Sequence, residues 1–181
     1  MMERIAEVSP LVKARIAGVL YLLSIVTGIY AVVFASGGLR LGANLLGTAL
    51  YVAVTLIFYD LFKPVNRGLS LLAALFSLAG CAKTILDLLR LPSPNINPLV
   101  FFGFYCLLLA YLIFRSTFLP RFLSALLAIA GLGWLTFLSP ALGERLFSPY
   151  IMVTGLVGEG SLTLWLLAFG VNARRWKEQA G

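Results

Sequence analysis

Six stretches of this chain are each apolar for long enough to cross a lipid bilayer, and no other feature constrains the fold as tightly. A bilayer core of about 30 Å takes roughly 20 helical residues. The runs fall at about 14–35, 41–62, 68–90, 98–116, 120–139 and 149–172. In lipid every backbone N–H and C=O must be satisfied within its own segment, so runs of this length predict helices. The expected fold class is all-α: a polytopic membrane protein, with residues 1–181 forming one bundle of six transmembrane helices. Composition agrees, with 61% of the 181 residues hydrophobic and 12% charged, where a soluble domain is about half apolar and about a quarter charged. The first run exceeds a signal-peptide core and lacks a convincing cleavage site, so it is expected to stay as a membrane helix.

Helix signals sit at the edges of the runs. Ser9-Pro10, Asn97-Pro98 and Ser148-Pro149 each place a capping residue before a proline at the first helical position. Pro64, Pro120 and Pro140 punctuate turns. Orientation follows from Lys and Arg in the short loops. With the N-terminus inside, one side holds Arg4, Lys13, Arg15, Lys63, Arg67, Arg115, Arg121, Arg174, Arg175 and Lys177. The other holds Arg40, Arg90 and Arg145, and Lys83 lies within a span. Ten against three predicts both termini in the cytoplasm, with the chain a multi-pass protein of a cell membrane.

The net charge of +7 does not point to nucleic acid, because the basic residues stand singly or in pairs at the ends of apolar runs. The lipid bilayer is the expected partner, with a partner protein or a second copy left open. Cys81 and Cys106 both fall inside spans, where a thiol most often acts as a small hydrophobe. Histidine is absent. That removes bis-histidine haem, most zinc chemistry and any Ser-His or Cys-His pair, so no cofactor and no metal are expected. Walker, dinucleotide and hydrolase-elbow motifs are also missing. One internal echo is visible. "LIFYDLFKPVNRGLSLLAALFSLAG" (56–80) resembles "LIFRSTFLPRFLSALLAIAGLG" (112–133), which fits either a duplicated hairpin or two basic turns of like composition.

Four stretches together carry a family resemblance. They are "KARIAGVLYLLSIVTGIYA" (13–31), "LFKPVNRGLSLLAALF" (61–76), "LVFFGFYCLLLAYLIFRSTFLPRFLSALLAIAGLGWL" (99–135) and "GEGSLTLWLLAFGV" (158–171). The chain resembles the uncharacterised bacterial membrane family catalogued as domain of unknown function 4386 over nearly its whole length. The resemblance implies a small multi-helix membrane protein with no assigned activity. The family often carries a basic residue near Ser77 and a histidine where Tyr105 stands, and this chain has neither.

An ionisable residue inside a span is costly and marks a candidate site. Lys83 and Asp87 lie four apart on one helix face and can pair at the outer rim. Asp60 stands near a helix end, where Lys63 or water can meet it. Glu159, about ten residues into the last run, falls near the bilayer midplane. Gly155 and Thr163 share its face and Gly158 and Gly160 flank it, so that face is expected to point into the bundle. Glu159 then needs a counter-charge or a proton. With Lys83 held by Asp87, the expectation is a protonated carboxyl donating a hydrogen bond to a neighbouring helix.

Asn44, Thr48, Tyr51 and Tyr105 are further interior candidates, each also explicable as interhelical glue. Trp134, Trp165 and Trp176 read as packing or interface anchors. Three functions remain open. One is a small transporter or ligand-binding membrane protein using the polar site around Glu159 for a small molecule or a proton. A second is a structural or partner-binding protein whose buried polar groups fix helix register. The third, a membrane enzyme, has the least support, for want of a nucleophile–base pair.

Overall fold

A computed structural model describes residues 9–146 and 150–181. Arg4 and the Ser148-Pro149 signal lie outside the described residues. All regular structure among the described residues is helical: α1 (Pro10–Val33), α2 (Gly37–Phe62), α3 (Arg67–Leu88), α4 (Pro98–Arg115), α5 (Phe122–Leu135), α6 (Pro140–Leu146), α7 (Met152–Ala168) and α8 (Ala173–Ala180). Helices α1 to α4 are long and apolar enough to cross a membrane individually. A 3₁₀ turn at Thr136–Leu138 extends α5 into an apolar stretch of 17 residues, and α7 bends by 103° into α8.

The capping signals divide. Asn97 accepts from Leu99 N at 2.9 Å ahead of Pro98, and Asn66 accepts from Leu69 N at 2.9 Å. Ser9 makes no side-chain cap, so Pro10 alone sets the start of α1. The last two runs are shorter than the sequence suggests. α5 starts at Phe122, and α7 stops at Ala168 because Gly170 takes a left-handed φ of +66° that an L side chain resists. Asn172 then accepts from Arg175 N at 3.1 Å and starts α8, in a polar stretch that apolar periodicity cannot flag. The two turns of the internal echo are built differently. One has four residues and the Asn66 cap, while the other has six and no side-chain cap.

Packing follows the chain around a closed ring. α1 packs on α2, α2 on α3, α3 on α4 and α4 on α5. α7 completes the ring by packing on both α5 and α1. The six helices alternate in direction, which gives the ring two ends of different character. The end holding the α2–α3 and α4–α5 turns is basic and closed. Leu61, Leu112, Ile113 and Leu123 are almost fully buried there, and Phe62 packs on Phe118 with ring centroids 5.8 Å apart.

α8 fastens across this closed end. Trp176 donates to the Leu61 carbonyl at 2.8 Å, and Thr117 N donates to Gln179 at 3.0 Å. Asp60 bridges Lys13 of α1 and Lys63, so its carboxylate ties the ends of α1 and α2 together. On the outside of the ring, large apolar side chains such as Val19, Leu23, Val26 and Leu164 stand exposed. A surface of that kind suits lipid rather than water.

Candidate functional site

Glu159 sits halfway along α7 and turns inward. Its Oε2 accepts from the Tyr21 hydroxyl of α1 at 2.6 Å, and its Oε1 accepts from the Trp134 indole N–H of α5 at 2.8 Å. The carboxyl group therefore joins the two helices that flank α7 in the ring. The sequence leads one to expect a carboxyl hydrogen-bonded to a neighbouring helix; the structure joins it to two, through the Tyr21 hydroxyl and the Trp134 N–H. Among the described residues, no Lys or Arg pairs with it.

The glycines around Glu159 have separate tasks. At Gly155 a Cβ would strike the Trp134 ring, so the missing side chain lets that indole lie against α7 and reach Oε1. At Gly158 a Cβ would stand 2.6 Å from the Leu126 carbonyl oxygen and 2.7 Å from the Ala130 Cβ. Here the α5 and α7 backbones lie close together. Gly160 is different, since a Cβ there would meet only Leu156 Cδ1, at 3.9 Å. Thr163 donates to the Glu159 backbone carbonyl at 2.8 Å, within α7.

Tyr21 stands at the centre of an aromatic group. Its ring meets Tyr51 edge-on at 5.5 Å and Phe58 at 5.9 Å, and Tyr51 in turn meets Phe102 at 5.1 Å and Tyr105 at 6.0 Å. Below this layer the ring interior is packed. Above it, toward the end opposite the basic one, two cavities open and both reach Glu159. The smaller, about 330 Å³, has Ser24, Thr48 and Thr84 on its walls, with Tyr51, Phe102, Trp134 and Glu159 also lining it. The larger, about 650 Å³, runs between α1 and α7 along Ile29, Val32, Val153 and Leu156. Asn44, Gly28, Leu99, Trp134 and Glu159 border both. Glu159 is accordingly half-buried, with part of its surface turned to the cavities.

The other sequence-derived candidates separate from this site. Lys83 pairs with Asp87 as their spacing predicts, and Ser93 donates to Asp87 at 2.8 Å. The ammonium is largely buried and the carboxylate 40% exposed, at the end of α3, and neither residue borders the cavities. Asn44 joins Glu159 at the cavities, while its amide donates to the Arg40 carbonyl of its own helix at 2.8 Å. Tyr105 is buried beneath Tyr51, and its hydroxyl makes no hydrogen bond.

Interhelical glue is supplied by other residues. Ser24 donates to the Gly47 carbonyl at 3.0 Å, the Thr55 and Ser77 hydroxyls meet at 2.6 Å, and Ser70 donates to the Tyr59 carbonyl at 3.0 Å. Two residues of the site escape sequence reasoning. Trp134, read as packing or an interface anchor, meets the carboxylate in the interior. Tyr21 was not singled out, yet Ala14, Ala17, Gly18, Tyr21 and Ser24 recur at helical spacing and mark the inward face of α1. Among the described residues no three His, Cys, Asp or Glu side chains gather as a metal site.

Comparison with known proteins places the chain in a lineage without assigning an activity. The family described as domain of unknown function (DUF4386) matches residues 95–170, which run from α4 through α7 and include Trp134 and Glu159. The match is narrower than the near full-length resemblance read from the sequence. An uncharacterized protein of Archaeoglobus fulgidus is 31% identical over 128 residues, covering 66% of this chain and 76% of the relative. No solved structure matches. The chain belongs to the DUF4386 family.

Proposed function

We propose that this chain is a single-domain protein of the cytoplasmic membrane that binds a small cationic ligand or a proton at Glu159, as a transporter or ligand-binding protein. In this reading α1 to α5 and α7 are six spans and both termini are cytoplasmic, which sets the basic end inside. One observation carries the functional part. A carboxylate held by two neutral donors, with no Lys or Arg paired to it among the described residues, faces cavities that open toward one end of the ring. An uncompensated carboxylate in a low-dielectric interior is neutralised by a proton or by a cation it binds. Tyr51, Phe102 and Trp134 line the same cavity, and aromatic rings attract organic cations. A protein whose polar groups served only to fix helix register would be packed and dry here. Among the described residues nothing beside Glu159 forms the nucleophile–base pair a hydrolytic enzyme requires.

A thermal-unfolding screen of purified protein in detergent tests the proposal. Small ammonium compounds are compared with neutral and anionic molecules of matched shape, on wild type and Glu159→Gln. A ligand at 100 times its Kd adds about 2.7 kcal/mol of stability, readily seen as a raised Tm. The reading expects at least one ammonium compound to stabilise wild type and not the Gln variant. It fails if no ammonium compound stabilises the wild type, or if the variant responds equally.

A further inference from the structure

The larger cavity borders Glu159 and runs outward between α1 and α7. α1 and α7 lie close together near the basic end and apart near the other. At Gly18 a Cβ would stand 3.0 Å from the Leu167 backbone N, whereas at Gly28, ten residues further along α1, it would meet nothing within 4 Å. The gap between the helices is the 650 Å³ cavity. Its long walls are apolar, formed by Ile29 and Val32 of α1 facing Val153 and Leu156 of α7, and all four side chains are exposed. The cavity is therefore a slot that opens sideways, toward the region a bilayer would occupy. Among the described residues its only carboxylate is Glu159, bonded to Trp134, and Asn44 also lines it.

An apolar slot leading to a carboxylate that pairs with no Lys or Arg among the described residues matches one ligand chemistry. We infer that the α1–α7 slot admits an amphiphilic amine from the bilayer, with its ammonium group at Glu159 and Asn44 and its hydrocarbon chain along Ile29, Val32, Val153 and Leu156. This rests on the proposal that Glu159 binds a cation, and adds the ligand class and the route. Lipid tails are as apolar as these side chains, so the chain gains little by moving into the slot. Discrimination therefore comes from the head group. A charge-assisted bond between ammonium and carboxylate separates an amine from an alcohol of equal length. A carboxylate head group is repelled. The smaller cavity, with Ser24, Thr48 and Thr84 on its walls, leaves space beside the head group for polar substituents.

The test uses the full chain in phosphatidylcholine nanodiscs, with empty nanodiscs correcting for partitioning. Radiolabelled dodecylamine is titrated, and dodecanol, dodecanoate and propylamine compete. Saturable binding of dodecylamine at one per chain is expected, with dodecanol and dodecanoate weaker by about ten-fold or more. Glu159→Gln should weaken it by a similar factor. Gly28→Leu, which adds a side chain into the open slot away from the packed core, should weaken dodecylamine and leave propylamine unaffected. That variant keeps the test valid even where Glu159→Gln fails to fold. Equal competition by dodecanol, or no effect of Gly28→Leu, overturns the inference. If Gly28→Leu weakens propylamine as much as dodecylamine, the cation site stands and the lipid route falls. If no amine binds, both fall.

Discussion

Gly158 and Gly160 lie two residues apart on α7, on either side of Glu159, and replacing each with alanine should change stability in opposite directions. At Gly160 the new methyl meets only Leu156 Cδ1, at 3.9 Å, which is ordinary contact. Alanine there recovers the helix propensity that glycine forgoes, about 0.5–1 kcal/mol. At Gly158 the same methyl would stand 2.6 Å from the Leu126 carbonyl oxygen, and backbone cannot swing aside as a flexible side chain does. α5 and α7 must part, at about 1–3 kcal/mol for overpacking, against the same propensity gain. The two variants should therefore differ by about 1–3 kcal/mol, with Gly160→Ala the more stable. Parting α5 from α7 also draws Trp134 away from Oε1, so Gly158→Ala should alter the Trp134 fluorescence while Gly160→Ala does not. Unfolding by added dodecyl sulfate in mixed micelles, followed by circular dichroism, measures both. Equal stabilities would mean that α5 and α7 are not packed backbone to backbone at Gly158, and the placement of Trp134 on Glu159 would lose its support.

Glu159→Leu should destabilise more than Glu159→Gln. Leucine leaves the buried Tyr21 hydroxyl and the Trp134 N–H without an acceptor, about 1–3 kcal/mol for a buried donor, whereas glutamine keeps an acceptor of the same shape; the same unfolding titration decides, and equal losses would contradict it. Lys83→Met should leave every Glu159-dependent binding signal unchanged, while Asp87→Asn strands a largely buried ammonium and costs about 1–3 kcal/mol; loss of binding in Lys83→Met would show that the two sites are coupled. Single cysteines near Arg40 and Arg145, in a chain with Cys81 and Cys106 replaced, should react with an impermeant thiol reagent added to intact cells. One near Asn66 should not, and the reverse pattern would invert the orientation.

The parts of this fold legible in the sequence are those set by local chemistry. Unbroken apolar runs predict helices because lipid offers no other partner for backbone groups, and α1 to α4 match the runs within a few residues. The Lys83–Asp87 pair follows from a four-residue spacing on one helix face. The inward turn of Glu159 follows from its small neighbours, because only glycine at 155 and 158 lets α5 come so near. Hidden from the sequence is whatever depends on closing the ring. Tyr21 and Glu159 are 138 residues apart and meet only because α7 returns to α1. Trp134 sits near the end of α5, where an aromatic residue ordinarily reads as an interface anchor, and only the bare Gly155 surface opposite gives it an interior place. The cavities depend on α1 and α7 splaying apart, which no residue pattern within one helix records. α8 is polar and short, and its latch to Leu61 and Thr117 joins residues far apart in sequence.

The central claim is that Glu159 can be reached from the outside through the interior of the ring. Thr48, on the wall of the smaller cavity, lies eleven residues into α2, about 16 Å along the helix from its start at 1.5 Å per residue. A Thr48→Cys variant in a chain lacking Cys81 and Cys106 can be exposed, in intact cells, to a small, cationic, membrane-impermeant methanethiosulfonate. The account predicts modification from outside, slowed when Glu159→Gln removes the carboxylate that draws the cation inward. Modification only after the cells are permeabilised, or at the same rate in both backgrounds, would contradict it.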